Sequence, residues 1–241
     1  MGGSFSADLR TASAHVFVAD LGSPSLEPDD AHHLTRVLRV RPGEAVTVSD
    51  GAGRWRMCRA GAASGRGVAL EVAGPVHEEP PAAPAVTVAM AWPKGERADW
   101  AVQKLTEVGV DRVIPLVTDR GTVRWDDTKA AAATARMARI ARQAAMQSRR
   151  VRLPEIGPPT SVGDALGRGG AGACAAEPGG QAPDLARPFV LVGPEGGWAD
   201  GELPPDLCRV GLGPTVLRTE TAAVMVAGVL CLMRSGLFRR S

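Results

Sequence analysis

Residues 188–198 read PFVLVGPEGGW, an apolar run followed directly by a loop with three glycines. A short apolar run bounded by turn residues is typical of a strand that is covered on both faces of a parallel sheet. The glycines at 193, 196 and 197 allow backbone conformations that side chains forbid, and they leave room for a ligand against the main chain. This stretch therefore predicts a buried strand whose carboxyl end carries a ligand-binding loop.

Two further stretches repeat this organisation on either side. Strand patterns over 171–176 and 209–213 lead into AEPGG at 176–180 and LGPTVLRTETA at 212–222. Open α/β sheets bind ligands at the carboxyl ends of their strands, so three such loops favour one shared site over three unrelated turns. Thr219 is expected to N-cap the last helix, and residues 199–203 are expected to open a short helix after the second loop.

The region around these loops alternates between strand and helix patterns. Strands are predicted over 86–92 and 110–118, helices over 96–108, 128–148 and 219–235, and a glycine-rich surface loop over 163–172. Gly109 is placed to end the first helix. Alternating strands and helices predict an α/β domain with a mostly parallel sheet covered on both faces.

The first 77 residues show a different pattern, which indicates a separate small domain. Alternating segments over 14–20, 43–49, 54–60 and 67–72 predict strands, and HHLTRVLR at 32–39 predicts a short helix. A small β-barrel would close these strands. The proline-rich EEPPAAP at 78–84 is interpreted as a linker to a second domain over 85–241.

Composition excludes several classes of protein. The longest apolar run has 12 residues, too few for the ~18 of a membrane span, and no apolar segment near the amino terminus suggests secretion, so the cytoplasm is expected. The glycine-rich loops lack the lysine of a phosphate-binding P-loop and the spacing of a dinucleotide fingerprint. Four scattered cysteines without a nearby histidine predict reduced thiols and no metal site.

Arginines are concentrated in two stretches of a chain whose net charge is only +2. Residues 32–66 hold seven arginines against two acids, and residues 136–152 hold six arginines and no acid. Guanidinium groups suit bidentate phosphate contacts and stacking on bases. Both stretches are therefore candidate contacts for an acidic partner such as RNA, while two solvated faces remain the alternative.

Five motifs in a fixed order connect these observations. They are HHL with VLR at 32–34 and 37–39, QK with EVGV at 103–104 and 107–110, RQA with QSR at 142–144 and 147–149, GPEGG at 193–197, and LG with LRTETA at 212–213 and 217–222. In this series the chain resembles the ribosomal RNA small subunit methyltransferase E family, one of the SPOUT methyltransferases. The resemblance covers about residues 14–232, and GPEGG with LRTETA is its most specific part.

The resemblance implies a fold and an activity. It implies a PUA-like RNA-binding β-barrel followed by a SPOUT domain with a C-terminal trefoil knot, a homodimer, and methylation of uracil N3 at one uridine of 16S ribosomal RNA, free or within the 30S subunit. S-adenosylmethionine would be the methyl donor, and no metal or membrane is involved. Two alternatives stay open: a SPOUT enzyme acting on tRNA or on a ribose 2'-hydroxyl, and a non-catalytic RNA-binding module.

The same resemblance implies a cofactor pocket on the three loops. Its expected residues are Ala176, Val192, Gly193, Pro194, Gly196, Gly197, Leu212, Gly213, Val216, Leu217 and Thr219. Uracil N3 carries a proton at neutral pH, so Arg218 is a candidate to orient the base or stabilise its oxygens, and Glu195 or Glu220 is a candidate base. Glu195 could instead brace its loop, and Glu220 could instead favour the helix dipole.

RNA contacts are expected on both arginine-rich stretches. The candidate residues are His32, His33, Arg36, Arg39, Arg54, Arg56, Arg142 and Arg149. Phosphate contacts of this kind dominate affinity for RNA and make it depend on salt. One of the two histidines is alternatively a packed helix residue.

Overall fold

The computed structural model describes residues 7–64 and 67–238. The chain forms two compact units, Met1–Pro81 with Ala145–Leu153, and Ala82–Ala144 with Pro154–Ser241. The first boundary falls inside the proline-rich segment predicted as a linker. Residues 145–153, expected in the second domain, belong to the first unit instead, because Met146 and Val151 pack into its hydrophobic clusters.

The first unit is built on one four-stranded sheet. Its strands are β1 (Ala14–Phe17), β2 (Ala45–Ser49), β3 (Arg54–Ser64) and β4 (Gly67–Glu78), and its helices are α1 (Ala7–Thr11) and α2 (Pro28–His32), the latter continued by a π-helical turn over His33–Val37. The strands lie in the order β1-β2-β3-β4, with β1 and β2 parallel and the other pairs antiparallel. Strand β4 extends to Glu78, beyond the predicted end at 72, because Glu78 pairs with Arg54.

Strand β2 is buried on both faces. Val46 and Val48 pack into the core of the sheet. On the other face Ser49 Oγ donates to the carbonyl of Val151 at 2.8 Å, and Thr47 Oγ1 contacts the ring of His15 at 2.9 Å. The carbonyl of Val151 therefore accepts from a hydroxyl of β2 that burial would otherwise leave unpaired.

The second unit contains a parallel seven-stranded sheet. Its strands are β5 (Thr87–Ala91), β6 (Arg112–Val117), β7 (Glu155–Ile156), β8 (Thr160–Ser161), β9 (Ala173–Gln181), β10 (Phe189–Val192) and β11 (Arg209–Val210). The order is β11-β9-β10-β5-β6-β7, and β8 pairs with β6. The helices are α3 (Glu96–Val108), α4 (Asp127–Ser148), α5 (Val162–Gly169) and α6 (Thr219–Arg234).

Alternate residues of the central strands face two separate cores. Val190 and Val192 of β10 pack in a cluster with residues of α3 and α6, whereas Leu191 packs in a second cluster with Val162 and Ala165 of α5. The sheet is therefore covered on both faces, as the continuous apolar runs predicted. The predictions for α3 and α6 are confirmed to within one residue, and Gly109 ends α3 in the left-handed conformation.

Four local predictions are wrong. Residues 162–169 form helix α5 rather than a loop, because Ser161 caps it and Val162 and Ala165 are buried. Residues 199–203 form turns rather than a helix. Thr219 is the first residue of α6, and Arg218 holds the N-cap position. The AEPGG stretch continues β9 to Gln181 instead of turning away, since Gln181 pairs with Val210 of β11.

Candidate active site

The carboxyl ends of β9, β10 and β11 enclose a cavity of about 210 Å³ in the second unit. Its lining residues are Ala176, Glu177, Pro178, Val192, Gly193, Pro194, Glu195, Gly197, Trp198, Leu212, Gly213, Thr215, Val216, Leu217, Thr219 and Ala222. This set includes two glutamates but neither lysine nor arginine. Such a lining does not suit a phosphate ligand, and it suits a largely apolar ligand that carries positive charge.

The loop after β10 forms one wall of the cavity. A Cβ on Gly193 would lie 2.8 Å from Cε2 of Trp198, so the ring packs directly against the glycine backbone. Gly197 has a φ of +69°, a conformation that favours glycine. Arg120, in the segment after β6, donates to the carbonyl of Gly196 at 3.0 Å. The loop is therefore held by the ring beside it and by the neighbouring strand connection.

The second wall depends on a close approach of two backbone segments. A Cβ on Gly180 would lie 2.6 Å from the carbonyl carbon of Val210, and a Cβ on Gly211 would lie 2.6 Å from the carbonyl oxygen of Gly180. The amide of Gly211 donates to the carbonyl of Gln181 at 2.7 Å. Any side chain at position 180 or 211 would separate these segments, so the glycines of both motifs are required for packing as well as for turning.

The start of α6 closes the cavity from the third side. Thr219 Oγ1 donates to the carbonyl of Gly193 at 2.9 Å, which ties the helix to the loop after β10. Before it, Val216 is 90% exposed although it lines the cavity. An apolar side chain at the rim with so much exposed surface is available to cover a bound ligand.

Three charged residues considered for catalysis lie in different environments. Glu195 lines the cavity and its side chain is 49% exposed, whereas Glu220 is buried in the first turn of α6 and is not among the lining residues. Arg97, near the start of α3, lies 3.4 Å from Glu195 and 3.9 Å from Glu220. Arg218 is exposed between two lining residues. Of the two candidate bases, Glu195 is therefore the one that can reach a ligand in the cavity, and Glu177, the other glutamate of the lining, is paired with Arg209.

The structure brings together nearly all of the residues predicted for the cofactor pocket. Gly196 is the exception, since it is absent from the lining and faces Arg120. The expected pocket residues did not include Glu177, Pro178, Trp198, Thr215 and Ala222 of the lining, nor Arg97 beside it. Trp198 directly follows the glycine loop and Ala222 lies one turn into α6, so both could have been found by extending the motifs. Arg97 is 98 residues from Glu195 along the chain and has no local signal.

The candidate RNA-binding residues are divided between the two units. In the first unit His32, Arg36, Arg39 and Arg54 are exposed, and the side chain of His33 lies outside the described part of the structure. Arg142 is half-buried on α4 in the second unit.

Two of the predicted RNA contacts, Arg56 and Arg149, are partly buried. Arg56 donates to the carbonyls of Gly74 and Leu21, so its guanidinium braces the sheet. Burial lowers the pKa of Arg149, whose Nη1 is buried without a hydrogen-bond partner among the described residues. Exposed Arg36, Arg39 and Arg54 are better placed than these two to meet a phosphate.

Within residues 7–64 and 67–238, no three histidine, cysteine or acidic side chains are grouped as metal ligands. The four cysteines, all among the described residues, form no disulfide, and burial raises the pKa of Cys174 to about 12, as expected for an inert thiol. Over the same ranges every helix is too short or too polar to span a bilayer.

Comparison with known proteins identifies the class to which this fold and cavity belong. A model of the RNA methyltransferase domain matches residues 79–231, and a model of the RNA methyltransferase PUA domain matches residues 26–72. The chain therefore belongs to the RNA methyltransferases that carry a PUA domain.

Individual relatives show which family within this class the chain belongs to. The ribosomal RNA small subunit methyltransferase E of Mycobacterium tuberculosis is 34% identical over 227 residues, which cover 87% of this chain and 86% of that protein. The chain thus belongs to the ribosomal RNA small subunit methyltransferase E family, as its motifs predicted. The Neisseria gonorrhoeae member, solved bound to S-adenosyl methionine, matches with a TM-score of 0.74 at 25% identity, covering 91% of this chain and 97% of that one.

A second solved structure supports the same relationship. A Legionella pneumophila protein in complex with the bound cofactor SAM matches with a TM-score of 0.74 at 27% identity. The match covers 90% of this chain and 96% of the Legionella chain. The predicted α/β domain with a parallel sheet and the PUA domain before it are thereby confirmed, whereas the trefoil knot stays a prediction and the strands of the first unit form a four-stranded sheet.

Proposed function

We propose that this chain transfers the methyl group of S-adenosylmethionine to N3 of a uracil in 16S ribosomal RNA. The observation that carries the proposal is the glycine-walled, cation-free cavity at three neighbouring strand ends, in a member of this family. The donor is a sulfonium, so its positive charge suits a lining that contains Glu195. The backbone of Gly193, Gly197 and Gly213 leaves space for close contact with the donor's rings.

The chain's own residues would act on the uracil. Bound S-adenosylmethionine supplies an electrophilic methyl group, so the protein contributes alignment and removal of a proton. Glu195, at the cavity wall, accepts the N3 proton as N3 forms its bond to the methyl carbon and the carbon–sulfur bond breaks. Arg218 stabilises the negative charge that develops on the uracil oxygens. Glu220, away from the lining, is not used as the base.

RNA docking and assembly are further parts of the proposal. Exposed Arg36, Arg39 and Arg54 would contact phosphates of the RNA, and replacing all three would lower the salt dependence of binding. Met225 and Leu232 of α6 and Trp100 of α3 are exposed apolar residues that support a homodimer. We also propose that the second domain contains a trefoil knot and that the protein acts in the cytoplasm, where ribosomal subunits are assembled.

Mass spectrometry of RNA treated with the purified protein tests the activity. 16S RNA, intact 30S subunits and tRNA are each incubated with isotope-labelled S-adenosylmethionine, digested and analysed. We expect label on a uracil base of 16S RNA or of the 30S subunit. Label on tRNA or on a ribose would instead establish one of the other SPOUT activities. Absence of both label and cofactor binding would indicate a non-catalytic RNA-binding protein.

A further inference from the structure

Arg97 is the charged side chain that connects the cavity with the buried first turn of α6. Its Nη1 lies 3.4 Å from Glu195 Oε1 and 3.9 Å from Glu220 Oε1. Arg97 is the second residue of α3, which begins just beyond the carboxyl end of β5. Strand β5 is the sheet neighbour of β10, so this helix start lies beside the loop that carries Glu195.

Arg97 lies beside Glu220, a carboxylate that is buried at the start of α6. The side chain of Glu220 is only 7% exposed, and Oε2 is buried without a hydrogen-bond partner among the described residues. A buried carboxylate needs a counter-charge, and the start of α6 supplies only a partial one through its dipole. Among the described residues, the ion pair with Arg97 is the one recorded for Glu220.

Glu195 gains orientation from the same guanidinium. One of its oxygens is directed to Arg97, and its side chain is half exposed at the cavity wall. A half-exposed glutamate has several rotamers available, and a cation on one side restricts them. Arg97 itself is 48% exposed, so it can hold this carboxylate without being locked in the core.

We propose that Arg97 is a positioning residue that orients the Glu195 carboxylate toward the uracil and holds the buried charge of Glu220. The inference rests on the proposed function, since it assigns the means by which the base is aligned. Arg97 touches neither donor nor uracil in this role. It links the helix after β5 to the catalytic loop after β10 and to the start of α6.

The kinetic test compares Arg97→Gln, Arg97→Lys, Glu195→Gln and the double variant Arg97→Gln/Glu195→Gln. Misalignment of a catalytic group commonly costs about 100-fold, so Arg97→Gln is expected to lower kcat by roughly tenfold to 100-fold. The affinity for S-adenosylmethionine, measured by calorimetry, should stay near that of wild type. Arg97→Lys should recover part of the loss. The double variant should be no slower than Glu195→Gln alone, because both changes remove one function.

A stability measurement checks the contact with Glu220 without relying on activity. Arg97→Gln should lower the melting temperature by about 2–4 °C, and this loss should vanish in a Glu220→Gln background, where no buried charge remains. Arg112→Gln is the matched control, since it removes an exposed ion pair with Glu155 in the same unit. It should leave kcat unchanged and should lower the melting temperature equally with and without Glu220→Gln.

The outcomes separate the inference from the proposed function. Wild-type kcat in Arg97→Gln, or losses that multiply in the double variant, would overturn the positioning role while the methyltransferase activity stands. If the wild-type protein methylates no RNA, the proposed function fails. The melting temperatures still test the contact between Arg97 and Glu220. If Arg97→Gln lowers the melting temperature equally in the wild-type and Glu220→Gln backgrounds, the proposed contact between Arg97 and Glu220 is overturned.

Discussion

Gly193 shows how one missing side chain shapes the cavity. A methyl group at this position would lie 2.8 Å from Cε2 and 3.1 Å from Cζ2 of Trp198, closer than van der Waals contact allows. The ring forms part of the cavity wall and would have to move. Overpacking of this kind costs about 1–3 kcal/mol. We therefore expect Gly193→Ala to weaken S-adenosylmethionine binding by roughly tenfold, measured by calorimetry.

Gly167→Ala provides the matched control for this prediction. Gly167 lies in α5, and a Cβ there meets no atom within 4 Å. Alanine is favoured over glycine inside a helix by about 0.5–1 kcal/mol, so this variant should be at least as stable as wild type and bind the donor equally well. Unchanged affinity in Gly193→Ala would show that Trp198 does not limit the cavity.

His15 makes the stability of the first unit depend on pH. Burial, the largest cause, lowers its pKa to about 4, and the positive charge of Arg149 acts in the same direction. Nε2 lies 3.1 Å from the carbonyl of Arg150, to which it donates, and in the neutral ring that burial favours Nδ1 is an acceptor beside the Thr47 hydroxyl. The unfolded chain takes up a proton near pH 6.5 and the folded chain only near pH 4. The free energy of unfolding is therefore highest above pH 6.5, and it decreases as the pH is lowered from 6.5 to 4.

Denaturant unfolding at two pH values measures this effect. Between pH 7.5 and pH 5 wild type should lose about 2 kcal/mol more than His15→Gln, at 1.36 kcal/mol for each pKa unit. Ser49→Ala is the control, because it removes a neighbouring buried hydrogen bond to Val151 without removing a titrating group. Relative to wild type, Ser49→Ala should lower the free energy of unfolding by a similar amount at both pH values, so its pH dependence should match that of wild type. An identical loss in wild type and His15→Gln would exclude this role for His15.

At the scale of elements, a hydrogen bond connects α6 to the loop after β10. Thr219 Oγ1 donates to the carbonyl of Gly193, and both residues line the cavity. Thr219→Val keeps the shape but leaves that carbonyl without this donor, at a cost of about 1 kcal/mol. We expect weaker donor binding by roughly fivefold in calorimetry. Thr221→Val, exposed two residues further on, should bind normally, and equal affinity in both variants would contradict the prediction.

Elements with strong periodicity and clear ends could be predicted from the sequence, and weakly patterned ones could not. Helix α3 has an amphipathic pattern and a glycine that ends it, and its predicted bounds are confirmed. Helix α5 is rich in glycine, so its sequence favours a loop. It forms because Ser161 caps it and burial of Val162 and Ala165 outweighs its low helix propensity.

The candidate site was predictable to the extent that its residues are local. The glycine loops and the start of α6 are contiguous motifs, and the structure places nearly all of them around one cavity. Arg97 and Arg120 contact the loop at 193–197 from 98 and 76 residues away. A single sequence holds no signal for such distant pairs, because the register of the parallel sheet decides them.

At the scale of the whole molecule, the first unit is assembled from two separate parts of the chain. Residues 145–153 include the end of α4, whose Ala-rich pattern continues from the second unit without any break in composition. The sequence could not reveal this, because the helix is uninterrupted at the boundary after Ala144. The chain crosses between the units three times: the proline-rich segment marks the first crossing, the helix conceals the second, and the third falls between Leu153 and Pro154.

This division predicts how fragments of the chain behave. Residues 1–81 alone lack Met146 and Val151, which pack into two hydrophobic clusters of the unit, and lack the carbonyl of Val151 that accepts from Ser49. Deleting buried side chains of this size costs about 2–5 kcal/mol each, close to the whole stability of a small domain. We therefore expect fragment 1–81 to show no cooperative melting by circular dichroism.

Attaching residues 145–153 to that fragment through a flexible glycine–serine linker should restore a cooperative transition, because it returns both apolar side chains and the backbone acceptor. The same linked fragment with Met146→Asp is the control, and it should remain unfolded since it buries a charge where the methionine is 8% exposed. If fragment 1–81 melts cooperatively at the temperature of the linked fragment, the inserted segment is dispensable, and the proline-rich crossing alone defines the domain.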